Sequence, residues 1–191
     1  MSNIVFAGEK HSFRIRENNV IGGFDEDWGS NFFFADISYL RSFSKKFHLG
    51  AGAGLGVSNP VRYYSAWKLN VEKTESSIIF PLFITSKYNF TSKPTSMFVS
   101  GDIGYLKGFA ASYDDKGTFN PFGIFFQPTI GVDIGLRELQ KLSFGMGFQV
   151  QQTHYQIINQ TYDRTLDYYI YGFENESSSM PTIVFNVSFT F

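Results

Sequence analysis

The stretch Ile183-Val-Phe-Asn-Val-Ser-Phe-Thr-Phe191 puts Ile183, Phe185, Val187, Phe189 and Phe191 on one face of an extended strand and Val184, Asn186, Ser188 and Thr190 on the other. A soluble fold would have to bury that aromatic row under another layer of itself. Lipid can cover it instead, so the pattern predicts a strand of a membrane barrel.

The same period-two pattern recurs upstream. Residues 142–154 set Leu142, Phe144, Met146, Phe148 and Val150 against Ser143, Gly145, Gly147, Gln149 and Gln151. Residues 123–137 set Ile124, Phe126, Ile130, Val132 and Ile134 against Gln127, Thr129, Gly131 and Asp133. The short link 138–141 makes the two a hairpin. Segments 78–90 and 97–107 form a second hairpin across Thr91–Ser96, and 32–43 with 47–58 a third across Ser44–Lys46. Between hairpins the links are long, at about 59–77, 108–122 and 156–180.

Short turns alternating with long links predict short periplasmic turns on one rim of a barrel and long external loops on the other. Single-chain barrels prefer an even strand number, so a further strand is expected at about 8–17, where Phe13 and Ile15 alternate with Ser12, Arg14 and Arg16. The expectation is one all-β domain over 1–191: an eight-stranded antiparallel transmembrane β-barrel. Its strands are expected at about 8–17, 31–43, 47–58, 77–90, 97–107, 123–137, 142–155 and 181–191, with the first and last paired. Side chains fill a barrel this narrow. The inward glycines Gly50 to Gly56 make room for Phe34, Phe83, Phe98 and Phe125.

Composition agrees. Aromatic residues make up 19% of the chain, with 23 Phe and 11 Tyr, yet mean hydropathy is only −0.12. The apolar residues are therefore diluted by polar ones at short period, and no run approaches the ~20 residues of a membrane helix. With 16 basic and 17 acidic side chains, no basic field exists to attract nucleic acid. The absence of cysteine removes disulfides, thiol catalysis and cysteine metal sites. The N-terminus has no signal-peptide pattern, although such a barrel must be exported, which reads as a chain whose signal has been removed.

The stretch Ser77-Ile-Ile-Phe-Pro-Leu-Phe-Ile-Thr-Ser-Lys-Tyr-Asn-Phe90, with Met97-Phe-Val-Ser-Gly-Asp-Ile-Gly-Tyr-Leu106 after it, resembles the middle hairpin of the PorT-like outer-membrane barrels of Bacteroidota. The terminal strand resembles the closing strand of bacterial outer-membrane barrels, whose last aromatic residue is read by the barrel-assembly machinery. The resemblance implies residence in the bacterial outer membrane, with Phe191 as assembly signal. It says little about activity.

Strand parity turns Arg14, Arg16 and Lys87 inward together with Asp36, Asp102 and Asp133. Such charges need partners away from water, and a lumen polar network is expected. The external link 156–180 carries Tyr162, Tyr168, Tyr169, Tyr171 and Phe173 among mixed charges, which makes it a candidate contact loop. Enzymatic sites fit these residues less well. A lipid A deacylase-type site resembles His and Ser two apart on one strand, and here Gln156 stands where His154 would need its serine. His11 and His48 fall toward the periplasmic side or the lumen, away from the external loops an acyltransferase uses. Asp25, Asp27, Gly29 and Asn31 resemble a calcium loop without its closing glutamate.

No catalytic, cofactor or metal residue is assigned. The reading is a non-enzymatic scaffold or accessory subunit that contacts an envelope partner or extracellular ligand through its loops or outer wall. Its surroundings would be outer-membrane lipid and lipopolysaccharide, with the barrel-assembly machinery met during insertion and other outer-membrane proteins as candidate partners. The alternatives are a lipid A-modifying enzyme and a narrow channel.

Overall fold

The computed structural model describes residues 11–21, 28–63, 71–73, 77–110, 117–120, 122–136, 140–163 and 168–191. The described residues form ten strands: β1 (His11–Ile21), β2 (Trp28–Ser42), β3 (Phe47–Tyr63), β4 (Val71–Lys73), β5 (Ser77–Asn89), β6 (Ser96–Ala110), β7 (Gly117–Asn120), β8 (Phe122–Gly135), β9 (Lys141–Asp163) and β10 (Tyr168–Thr190). Eight of them pair antiparallel in the cyclic order β10-β1-β2-β3-β5-β6-β8-β9 and back to β10, which closes the barrel. The short β4 and β7 extend it, pairing with β3 and β9.

At the closing seam Phe13 and Phe191 exchange both backbone hydrogen bonds at 2.9 Å. The hairpin turns close by Phe43 N–H to Phe47 O at 3.0 Å, Phe90 N–H to Met97 O at 3.0 Å and Leu136 N–H to Gln140 O at 2.9 Å. All three turns and the Phe13–Phe191 pair lie at one end of the barrel, and the seam runs from there to Ile21↔Ile183.

Alternation along each strand sorts side chains into lumen and outer wall. Ile15, Ile37, Leu55, Leu82, Ile103, Ile124, Met146 and Ile183, one from each barrel strand, are 50% to 61% exposed. Leaving a large apolar side chain in water instead of burying it forfeits about 1.5–3 kcal/mol. A continuous ring of them is stable only against lipid. Phe13, Tyr39, Phe43, Phe47, Tyr88, Phe90 and Phe191 add exposed aromatic groups near the short-turn rim, where amphipathic and aromatic side chains sit at a bilayer interface.

Two expectations need correction. The described part of the first strand, His11–Ile21, runs past the expected end at 17, and residues 8–10 of the expected range lie outside the described part. Asn18 and Val20 continue the inward row beyond residue 17 and are buried. The link expected at 156–180 is mostly strand as well. β9 and β10 stay paired from Lys141↔Thr190 to Asp163↔Tyr168, so the barrel carries a long two-stranded ribbon. Beyond the membrane neither face of a ribbon has to be apolar, so its alternation fades while its backbone pairing persists.

Near the start of β8, Gly123 sits at φ 147°. A Cβ there would come within 2.4 Å of Gln152 O. Glycine is required at this bend.

Candidate functional site

The lumen is layered along the barrel axis. Nearest the short turns, Lys87 on β5 donates from Nζ to Asp133 Oδ1 on β8 at 2.6 Å, and Asn89 Nδ2 donates to Asp133 Oδ2 at 2.7 Å. The Lys87 ammonium also stands 4.0 Å from the Phe98 ring centre. One level further in, Arg14 donates to the hydroxyls of Ser38 at 3.0 Å and Thr85 at 3.2 Å. Next, Arg16 bridges two carboxylates, Asp36 Oδ2 from Nε at 2.7 Å and Asp102 Oδ2 from Nη1 at 2.5 Å. Asn18 Nδ2 donates to Asp36 at 2.7 Å, and Gln127 Nε2 reaches Asn18 Oδ1 at 3.4 Å.

All six lumen charges are buried, three cations with three carboxylates. They face inward because the opposite register would put them in lipid and their aromatic strand neighbours in the lumen.

Toward the long-loop end the chemistry changes. Val20, Phe32, Phe34, Ile79, Phe83, Leu106, Phe125 and Val184 form one buried apolar cluster inside the barrel. Phe83 and Phe125 meet edge to face with ring centres 6.4 Å apart, and Arg16 lies 5.2 Å over Phe83, joining cluster and ion network. Neighbouring strands supply the room. A Cβ on Gly52 would meet Phe83 Cζ at 2.5 Å, one on Gly131 would meet Phe98 Cζ at 2.6 Å, and one on Gly104 would meet Phe125 Cε1 at 2.8 Å. The arrangement holds buried charge at one level and excludes water at the next.

Asn18 and Asn89, both carboxylate partners, escaped the sequence reading. Their signal was available, since each shares the inward row of its strand with Arg14 and Arg16 or with Lys87.

The other candidate residues are scattered. His11 stacks on Tyr39 and contacts its hydroxyl at the short-turn rim. His48 Nδ1 is 2.8 Å from Ser42 Oγ at the same end. His154 lies on the ribbon, where its register partners are Ser177 on β10 and Asn120 on β7. Tyr162, Tyr168, Tyr169, Tyr171 and Phe173 occupy paired positions of β9 and β10, with their side chains outside the described part. Asp25 and Asp27 of the calcium-like loop also lie outside it. Among the described residues no three His, Asp or Glu side chains converge as a metal site would require.

No family model matches the chain, and no curated protein matches it significantly. Solved structures do. Neisserial surface protein A aligns with a TM-score of 0.60 and 8% identity over 96% of this chain and 97% of that one. OprG from Pseudomonas aeruginosa aligns with a TM-score of 0.60 and 12% identity over 95% of both chains. AlkL in lipid bilayers aligns with a TM-score of 0.50 and 12% identity over 100% of this chain and 95% of that one. At such identities the likeness is one of fold, and the fold is that of the small eight-stranded outer-membrane β-barrels.

Proposed function

We propose that this chain is a non-enzymatic scaffold or accessory subunit of the outer membrane. It is held in lipid and lipopolysaccharide, inserted by the barrel-assembly machinery, and engaged by an envelope partner through the β9–β10 ribbon and the outer wall. The observation that carries the reading is the filled lumen. An ion network spans its middle and an apolar cluster its long-loop half, so the interior is occupied by the barrel's own side chains. Away from the filled middle and long-loop half of the lumen, the longest feature open to contact is a ribbon rich in tyrosine. The hairpin 77–106 supports assignment to the PorT-like barrels of Bacteroidota.

Affinity purification from native membranes in mild detergent tests this. An envelope protein should co-purify in fixed ratio and be lost when 156–175 is excised. A barrel that runs alone before and after excision would refute the contact. Steady single-channel conductance in planar bilayers would refute the plugged lumen.

One observation favours a second reading, an acyl hydrolase at the base of the ribbon. No serine follows His154 two residues on, yet Ser177 is its register partner across the ribbon, with Asn120 on its other side. Backbone register thus sets a serine, a histidine and an asparagine at adjacent positions of three neighbouring strands, the residue types such a hydrolase uses. Release of acyl chains from lipid A by the purified barrel, abolished in Ser177→Ala, would establish this reading over the first.

A further inference from the structure

The lumen is open at the short-turn end, where a mouth of about 820 Å³ leads down to Lys87 and Asp133. Its size lies within the range of ligand pockets. Lysines dominate the ionisable side chains that line it. Lys45 comes from turn 43–46, Lys93 from turn 90–95, Lys141 from the start of β9, and Lys87 from the floor. Among the described lining side chains the only carboxylate is Asp133, and it is already held by Lys87 at 2.6 Å and Asn89 at 2.7 Å. Lys141 is 4.0 Å from the same carboxylate and one-third exposed, at 32%. Lys45 and Lys93 are exposed on their turns. The mouth therefore carries surplus positive charge in a concave, partly apolar setting that concentrates an attractive field.

The placement of these cations selects the ligand class. Lys87 and Lys141 both approach Asp133, at 2.6 and 4.0 Å, while Lys45 and Lys93 stand on two separate turns of the rim, so the four are not gathered as donors for a single phosphate or small anion would be. Leu40, Pro94 and Leu136 line the same mouth as the lysines. Spaced cations with apolar wall suit an extended chain that brings several carboxylates and some apolar contact together. Short turns of outer-membrane barrels face the periplasm. We propose that the mouth receives an acidic peptide segment of a periplasmic protein. This site lies at the opposite end from the ribbon and does not depend on the ribbon contact.

The test is fluorescence anisotropy of labelled hexaglutamate added to the purified full-length barrel in non-ionic detergent. Saturable binding of one peptide per barrel is expected, weakening as salt rises. The variant Lys45→Glu/Lys93→Glu/Lys141→Glu should lose roughly tenfold or more in affinity. The milder variant Lys45→Gln/Lys93→Gln/Lys141→Gln should fall between it and wild type. These side chains sit on turns or a strand end, so both variants should keep the heat-modifiable migration of a folded barrel. Lys107→Glu, on the outer wall beside Phe109, should bind as wild type does, and so should a barrel lacking 156–175, which separates this site from the ribbon. Absence of hexaglutamate binding, equal binding of hexalysine, or unchanged affinity in the folded triple glutamate variant would overturn the proposal.

Discussion

Arg16→Met isolates the central ion network. The arginine side chain is 3% exposed and is the cation of two pairs, 2.7 Å to Asp36 and 2.5 Å to Asp102. Methionine is unbranched and fills much of the same space, so the cavity contribution is small. What remains is two buried carboxylates without their cation. Breaking one buried pair costs about 3–5 kcal/mol. The two losses do not add, because both pairs share one cation, and Asp36 keeps the Asn18 amide at 2.7 Å. The expected loss is therefore about 4–5 kcal/mol, the upper part of the single-pair range.

Equilibrium urea unfolding in lipid vesicles, followed by far-ultraviolet circular dichroism, should show the midpoint falling by more than about 1 M, given slopes of about 1–3 kcal/mol per molar. Arg16→Met/Asp36→Asn/Asp102→Asn removes the charges together and should recover most of that loss, since neutralising a whole buried network is close to neutral. An Arg16→Met barrel that unfolds at the wild-type midpoint would refute the reasoning. So would a triple variant as unstable as the single one, because either result means that water hydrates these charges.

Asp133→Leu should destabilise more than Asp102→Leu in the same assay, because the first removes the bonded carboxylate of Lys87 while the second leaves Arg16 with Asp36. Gly52→Ala should cost about 1–3 kcal/mol by overpacking against Phe83 Cζ at 2.5 Å and Ile37 O at 2.8 Å. Gly101→Ala, whose new methyl group would meet nothing nearer than Ser86 Oγ at 3.8 Å, should unfold like wild type. Deleting Phe191 should lower membrane insertion in cells while detergent refolding stays largely intact. The residue is 45% exposed, so its ring contributes less than the ~3 kcal/mol of a fully buried aromatic group, and the two Phe13 hydrogen bonds lost with it add about 0.5–1.5 kcal/mol each; equal loss in both assays would make its role structural.

How much of this was legible in the sequence depends on what each face of the chain meets. Inside the membrane one face must be apolar and the other must pack, so alternation marked the cores of the eight barrel strands β1, β2, β3, β5, β6, β8, β9 and β10 and the inward turn of every lumen charge. Proline did not break the pattern. Pairing of β3 with β5 is interrupted at Pro81, between Ala53↔Leu82 and Gly56↔Ile79, and resumes in the same register. Pairing of β8 with β9 is interrupted at Pro128 in the same way, between Phe126↔Val150 and Thr129↔Gly147. A missing N–H costs ladder bonds there without shifting the strand. Outside the membrane that constraint disappears, and with it the signal for the ribbon, for β4 and for β7.

Partner choice inside the lumen has a different origin. A short turn sets register within its hairpin, so Ser42↔His48 across turn 43–46 carries the pairing of Asp36 with Gly54 along with it. No short turn links β3 to β5 or β6 to β8, and the pairings Gly52↔Phe83 and Phe98↔Gly131 arise there. Small residues opposite large ones select that register, since a one-residue slip would turn the phenylalanine into lipid and leave a void behind it. The ions follow. Once Gly52 admits Phe83, the Phe83 ring lies under Arg16 and the guanidinium is carried toward Asp102 across the barrel. The glycines and phenylalanines that no local rule pairs therefore decide which carboxylates Arg16 holds, and packing of the apolar half sets the geometry of the charged half.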